Sequence, residues 1–511
     1  MEQQMTVLPL RQSGVLLHPT SFPSEYGIGD LGSYAYAFID FLEAAGQSLW
    51  QILPLGHTGY GDSPYQAFSA FAGQPLVISP QKLIEQGFLS KEDFCDMPLW
   101  DALKIDYGPV INYKFSILNK AFNRFQSQPE HPLQKDFIIF CSAEAFWLED
   151  YALFMSLKDA HNGEIWTQWP NEIAFPNKEA KQKWASILEE QVRFYKFIQF
   201  IFNIQWNSLK QYANSKQIQI IGDIPIFVSF DSADVWASKE LFLLDSKGNP
   251  SFVAGVPPDY FSEIGQLWGN PLYNWDYHRQ ENYKWWISRI RYGLKYTDYL
   301  RIDHFRGFEA CWAIPFGSPN AINGSWTKGP DKELFKALEA ALGNNLPIIA
   351  EDLGIITDSV RELRDSFAFP GMKILQFAFE NIEDNDYLPH HHCYNSICYS
   401  GTHDNDTSLG WYLKASSQSQ DKFRRYFNTD GNCVSWDFVR ACFSSSSKMA
   451  IVPLQDILSQ DSSCRMNTPG TTLNNWQYRY NPDMLSVELT KALLDISVLY
   501  GRTDASENTN I

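Results

Sequence analysis

Eight short apolar runs punctuate the chain, each bounded by Gly, Pro or Asp and separated by stretches of helical spacing. They read GVLLHP (14–19), SLWQILPLG (48–56), QIQIIGDIPIFV (217–228) and DYLRIDHF (298–305). The series continues with LPIIAEDLG (346–354), MKILQFAF (372–379), NSICYSGTHDN (395–405) and KMAIVPLQDIL (448–458). Near-continuous apolar runs of this length suit parallel strands buried on both faces. Eight of them alternating with helices predict an α/β chain folded as a (β/α)8 TIM barrel.

The spacing of the runs is uneven, which locates insertions. Residues 1–59 read as the start of the barrel and 60–215 as a mostly helical inserted subdomain, far longer than one crossover requires. Within it, 110–126, 135–160 and 180–214 carry helical spacing, as in Val192, Tyr195, Phe197, Phe200 and Ile204. Residues 216–500 supply the remaining barrel. They include a Gly-, Pro- and aromatic-rich loop at 229–297 over the mouth, and a closing helix near 483–500. The polar stretch 501–511 reads as a fraying tail. No repeat of solenoid length is present.

With 41 basic and 59 acidic residues, the 511-residue chain has a formal net charge of −18. Such a surface repels phosphate backbones and anionic lipid, so neither nucleic acid nor a membrane is expected as a partner. Uncharged ligands fit. No apolar run reaches the ~18–20 residues of a membrane span, and the first residues lack the pattern of a signal peptide. The eight cysteines are scattered without a close CxxC pair, which predicts reduced thiols in a cytoplasmic protein.

Three acidic residues stand where strands should end: Asp303 in RIDHF, Glu351 in IIAEDLG and Asp404 in GTHDND. In a barrel, catalytic groups come from the C-terminal ends of several strands. Alternation along a strand puts Arg301 and Asp303 on one side, where the guanidinium favours the ionised carboxylate. An ionised Asp facing a Glu that stays protonated is what retaining glycoside chemistry requires. Taken singly, each acid could be a turn or cap residue. Three on the fourth, fifth and seventh runs, two of them beside His, point to an active site.

Those three segments together resemble the α-amylase clan. Further segments narrow the resemblance to the 4-α-glucanotransferases (amylomaltase, or disproportionating enzyme): LLHPTSFPSEYGIGDLG (16–32), GYGDSPYQAFSAFAG (59–73), IGDIPIFV (221–228), GVPPDYFSEIGQLWGNPLYNW (255–275) and RMNTPGT (465–471). The resemblance implies Asp303 as nucleophile, Glu351 as general acid/base and Asp404 as the third carboxylate. It implies Arg301 as the group holding Asp303, and His304, His403, Asp223 and Tyr60 as the lining of the central sugar site. Asp259, Gln266, Trp268 and Asn270 would contact the glucan from the covering loop. The implied reaction moves α-1,4-glucan segments between maltooligosaccharides or starch-type glucans by double displacement, with no metal or organic cofactor. A hydrolase of the same clan and a silent glucan-binding protein are the alternatives. The sequence departs from the family pattern at Ser400, where Thr is expected, and in the run His390–His392.

Two other patterns are read as structural. GIGDLG (27–32) matches a dinucleotide fingerprint, but Pro19 and Pro23 separate it from the preceding strand, and no ribose-binding acid follows. His390, His391 and His392, with Cys393 and Cys398, lack the spacing of metal ligands. Tyr65, Tyr260, Phe261, Tyr273 and Trp275 lie in Gly/Pro-rich loops, where flat rings with polar tips can face a sugar.

Overall fold

The computed structural model describes residues 11–258, 262–380 and 385–503, with Tyr60 described for its backbone alone. All eight apolar runs form strands: β1 Gln12–Leu16, β2 Leu49–Gln51, β3 Gln219–Pro225, β4 Tyr299–Asp303, β5 Ile348–Ala350, β6 Gly371–Ile374, β7 Ser396–Tyr399 and β8 Met449–Pro453. They pair in parallel in the order β6-β7-β8-β1-β2-β3-β4-β5. The Ala350 N–H donates to Pro370 O at 3.0 Å, bridging β5 to the start of β6 and closing the ring. The protein is a (β/α)8 barrel.

Strand alternation explains how the barrel fills. Leu16, Leu49, Ile221, Ile349, Met372, Ile374, Ile397, Tyr399, Met449 and Ile451 point inward and pack as one buried cluster. The other face of each strand meets the helices, so both faces are apolar and the runs read as continuous. Tyr399 Oη donates to Gln51 Oε1 at 2.8 Å inside the barrel. The chain spends its polar side chains at the mouth above this layer.

The long stretch between β2 and β3 contains the helices Tyr107–Gln126, Leu133–Ala143, Ala145–Ala160 and Lys178–Ile187. It ends in the 27-residue helix Glu189–Ser215. That helix has two jobs. Phe194 and Phe197 pack with Phe122 on the inserted helices, while Trp206 Nε1 donates to Tyr296 O at 2.9 Å beside the barrel. The crossover helix to β3 is therefore continuous with the insertion.

The segment 229–297 is not one covering loop. It holds the strands Phe252–Val256 and Gln266–Pro271 and the helices Ala233–Ala237, Trp275–Gln280 and Lys284–Tyr296. The two strands join Ala310–Pro315 and Ser325–Lys328 in a four-stranded antiparallel sheet, ordered 266–271, 252–256, 310–315, 325–328. Half of this sheet comes from beyond β4, so the pairing that joins its two hairpins, 252–256 with 310–315, has no local pattern to announce it. Its glycines and prolines mimic turn composition.

Two further expectations change. The closing helix runs over Val487–Leu499, but the chain does not fray immediately after it. Arg502 is buried and donates to Phe443 O, Ser447 O and Gln12 O at 2.9, 2.9 and 3.1 Å, tying the C-terminus to the base of the barrel. Only 504–511 of the expected tail lie outside the described residues. GIGDLG is a tight turn: a Cβ on Gly29 would stand 2.1 Å from Pro19 O. Asp30 caps the turn by accepting from the Gly32 N–H at 2.8 Å. Among the described residues, no helix is long and apolar enough to cross a membrane.

Candidate active site

The end of β4 delivers two charged groups to the mouth. Arg301 is buried, and its fork reaches Asp223 Oδ2 on β3 at 2.6 Å and Asp303 Oδ1 at 2.8 Å. The β3–β4 register sets Asp223 beside Arg301, so one planar guanidinium bridges two carboxylates. Tyr65 Oη also donates to Asp223 Oδ2, at 2.8 Å. Burial pushes Asp223 up to about 6, against the pull of Arg301, and the charge of Asp303 adds to the rise.

This bridge makes a stability prediction. Arg301→Met leaves two carboxylates without their cation and should cost about 3–5 kcal/mol, the range for breaking a buried pair. Urea denaturation at neutral pH measures it. Adding Asp223→Asn to that variant should recover part of the loss, because the more deeply buried charge is then gone. No recovery would place the cost in packing rather than in charge.

Glu351 follows β5 directly. Its Oε2 accepts the His304 N–H at 2.6 Å and its Oε1 accepts the Leu353 N–H at 2.8 Å. His304 adopts left-handed backbone with φ 53°, a conformation that non-glycine residues seldom take and that concentrates at functional sites. It turns the amide toward Glu351. Burial, reinforced by the nearby charge of Asp303, pushes Glu351 up to about 8, while Arg301 and the two amides pull the other way. The net shift favours the protonated form of Glu351 at neutral pH.

His304 is held down to about 4 by burial, so its imidazole is neutral. Its ring meets the edge of Trp268 with centroids 4.8 Å apart. Its Nε2 is buried without a protein partner among the described residues.

Asp404 stands in the turn after β7. Asn467 Nδ2 donates to its Oδ1 at 2.6 Å, and His403 Nε2 lies 3.4 Å from the same oxygen. The His403 ring stacks on Tyr65 at 5.0 Å. Asp303, Asp404, His304, His403, Trp268 and Asn270 line one cleft of about 240 Å³. Beyond Asp404 and Gln266 it opens into a trough of about 1310 Å³ that runs past Gln376, Arg465 and Gly470.

A buried carboxyl pushed toward its protonated form, near an ion-paired carboxylate that lines a cleft with aromatic and hydrogen-bonding walls, is equipped to break a glycosidic bond. A family model described as 4-alpha-glucanotransferase matches residues 17–486. The chain belongs to the 4-alpha-glucanotransferase family. It is 49% identical over 499 residues to a 4-alpha-glucanotransferase of Synechocystis sp., covering 97% of this chain and 99% of that one. Against a 4-alpha-glucanotransferase of Thermus thermophilus the identity is 46%, with 94% and 96% covered. The structure resembles an amylomaltase from Streptococcus agalactiae in complex with acarbose, at TM-score 0.94 and 40% identity, covering 97% of this chain and 100% of that one.

Within this 4-alpha-glucanotransferase fold, Asp303, Glu351, Asp404, Arg301, Asp223, His304, His403, Gln266 and Trp268 gather at the mouth. Asn270 lines the cleft but uses its Nδ2 on Val228 O at 2.8 Å, so it also fastens the loop after β3. The expected sugar contacts of Asp259 and of the Tyr60 side chain lie outside what is described. Tyr65 is the aromatic that the structure brings to the Asp223–His403 wall. It sits in the GYGDSPYQ segment, whose turn-rich composition marks a loop without saying which tyrosine faces inward. Asn467 and Arg465, in RMNTPGT, also reach the site, at Asp404, with no local pattern that marks them as site residues. His390 Nδ1 pairs with Tyr426 Oη at 2.9 Å, and His392 Nε2 with Tyr387 O at 3.0 Å. Those two imidazoles serve different neighbours.

Proposed function

We propose that this enzyme transfers α-1,4-glucan segments by a retaining double displacement, with Asp303 as nucleophile and Glu351 as general acid/base. The supporting observation is the asymmetry of the two acids: Glu351 is buried, which favours its protonated form, while Asp303 is paired with Arg301. Glu351 gives its proton to the glycosidic oxygen as Asp303 attacks the anomeric carbon, and the leaving chain departs with a free 4-hydroxyl. Glu351, now a carboxylate, takes the proton of an incoming sugar 4-hydroxyl as that oxygen displaces Asp303. Two inversions retain the α configuration. Asp404 bonds sugar hydroxyls and balances charge that develops on the ring. His304 and His403 add hydrogen-bonding tips, and Trp268 and Tyr65 add flat faces.

Maltooligosaccharides and starch-type α-glucans fit as substrates, since they are uncharged and the protein is strongly acidic. Nucleic acid and membranes do not suit that charge. All eight cysteines are free thiols, which supports a reducing, cytoplasmic setting.

Incubation with maltotriose tests the reaction. Transfer yields glucose together with a ladder of longer oligomers; a mixture of shorter products alone would refute it. Trp268→Ala should lower transfer more than hydrolysis, because the ring helps hold an incoming sugar in line with the reacting carbon, and such positioning is worth several kcal/mol. Equal loss of both reactions would make Trp268 a general substrate clamp.

A further inference from the structure

Asp404 is the least constrained of the three acids by its own strand. It lies beyond the end of β7, and its side chain is 47% exposed. Its backbone turn is held locally, by the Asp404 N–H on Thr402 Oγ1 at 3.3 Å and the Thr402 N–H on Asn405 Oδ1 at 2.9 Å. The carboxylate itself is aimed from elsewhere. Asn467 Nδ2 donates to Oδ1 at 2.6 Å, and the Asn467 N–H donates to His403 O at 3.1 Å. Arg465 completes the clamp, with Nη2 on Asp404 O at 2.5 Å and Nε on Asn467 O at 2.7 Å.

Three of these bonds join 403–404 to 465–467, all donated from 465–467, and the fourth stiffens 465–467 itself. The second segment is itself anchored: Met466 is buried in the core, and its carbonyl accepts the Trp476 N–H at 2.7 Å. Both side-chain contacts, from Asn467 Nδ2 and His403 Nε2, fall on Oδ1 of Asp404, a residue that lines the cleft.

We propose that Asn467, braced by Arg465, is a positioning residue that sets the Asp404 carboxylate for the transition state. The inference rests on the assignment of Asp404 as the third carboxylate. With its main-chain carbonyl and N–H both fixed, Asn467 holds its side-chain amide over a narrow range, which favours one rotamer of the Asp404 carboxylate. Supporting shells of this kind hold reactive groups to within about half an ångström of productive geometry. The long trough runs past Arg465 and Gly470, so the loop that borders the glucan path also sets the acid.

Maltotriose disproportionation by Asn467→Ala, Asn467→Asp, Arg465→Lys and Asp404→Asn tests this. Hydrogen bonds to charged groups are worth about ten- to hundredfold in a rate or equilibrium. Asn467→Ala should therefore lower kcat by about that factor with KM nearly constant. Asn467→Asp, the same size but with a second carboxylate in place of the donor, should fall further. Arg465→Lys should shift kcat in the same direction. Combined with Asn467→Ala it should add less than its own single loss, as expected of groups acting through one carboxylate. Affinity for acarbose, whose amine is protonated at the scissile position, should drop in parallel with kcat, while maltotriose binding holds.

A raised KM at unchanged kcat would overturn the proposal by making Asn467 a direct sugar contact. So would equal losses of acarbose and maltotriose affinity, which would indicate a structural role. Asp404→Asn separates the two levels of failure. An active Asp404→Asn enzyme removes the assignment of Asp404 and the positioning role with it. An inactive one beside fully active Asn467 variants removes the positioning role alone.

Discussion

Asp303→Asn should reduce turnover of maltotriose by roughly 10⁴-fold or more, the scale on which loss of a covalent nucleophile is felt. The amide is the same size as the carboxylate and keeps an oxygen for Arg301, which already holds Asp303 Oδ1 at 2.8 Å. It cannot form a glycosyl ester. The fold should survive, because Arg301 retains its 2.6 Å bond to Asp223. Calorimetric binding of maltotriose to the variant should thus remain close to that of the wild-type enzyme while turnover vanishes. Activity within tenfold of wild type would move the nucleophile elsewhere.

Glu351→Gln should cost about 10²–10⁴-fold, since proton transfer is lost in both halves of the reaction. Donor choice divides that loss. From α-maltosyl fluoride the fluoride ion departs without needing a proton as Asp303 takes the maltosyl group, so the first half should be largely spared, whereas deglycosylation still needs the missing base. The glycosyl-enzyme should then accumulate.

The raised value of Glu351, about 8 against 4.5 for an ordinary glutamate, has two consequences. The acid form is lost as pH rises through about 8, so wild-type kcat/KM on maltotriose should fall along an alkaline limb there. Stability moves in the same window. Between 4.5 and about 8 the folded protein binds a proton that the unfolded chain has released, so unfolding becomes easier as pH rises. Glutamine is neutral throughout and escapes this. The melting temperature of Glu351→Gln relative to wild type should rise steadily from pH 4.5 to about pH 8, from a starting offset set by the backbone N–H that then faces the amide nitrogen. A constant difference across that range would mean that Glu351 is not the titrating group.

The barrel was legible because its strands are buried on both faces. Ile220 and Ile221, for example, face outward and inward and are both fully buried, so both sides of the strand read as apolar between Gln219 and Asp223. The acids were legible for the complementary reason: Asp303, Glu351 and Asp404 break apolar runs where strands reach the mouth. The four-stranded sheet was hidden because its central pairing joins segments far apart in the chain. Gly255 pairs with Trp312 across β4, and the glycines at 265 and 269, both with positive φ, resemble loop residues.

Through-space roles were hidden as well. Nothing local distinguishes Asn467 from any other loop asparagine, and its meaning comes from an oxygen 63 residues away in sequence. Arg502 sits in polar composition and is recognisable as a fastener only from the carbonyls around it. Tyr65 and Tyr60 share one turn-rich motif, and only the position of Asp223 marks the first of them.

The most direct test is to trap the intermediate. Glu351→Gln enzyme supplied with α-maltosyl fluoride, quenched with acid and digested, should yield one peptide heavier by a maltosyl group. Fragmentation should place that group on Asp303. A label on any other carboxylate, or turnover to products of inverted configuration with no label at all, would contradict the double displacement at Asp303.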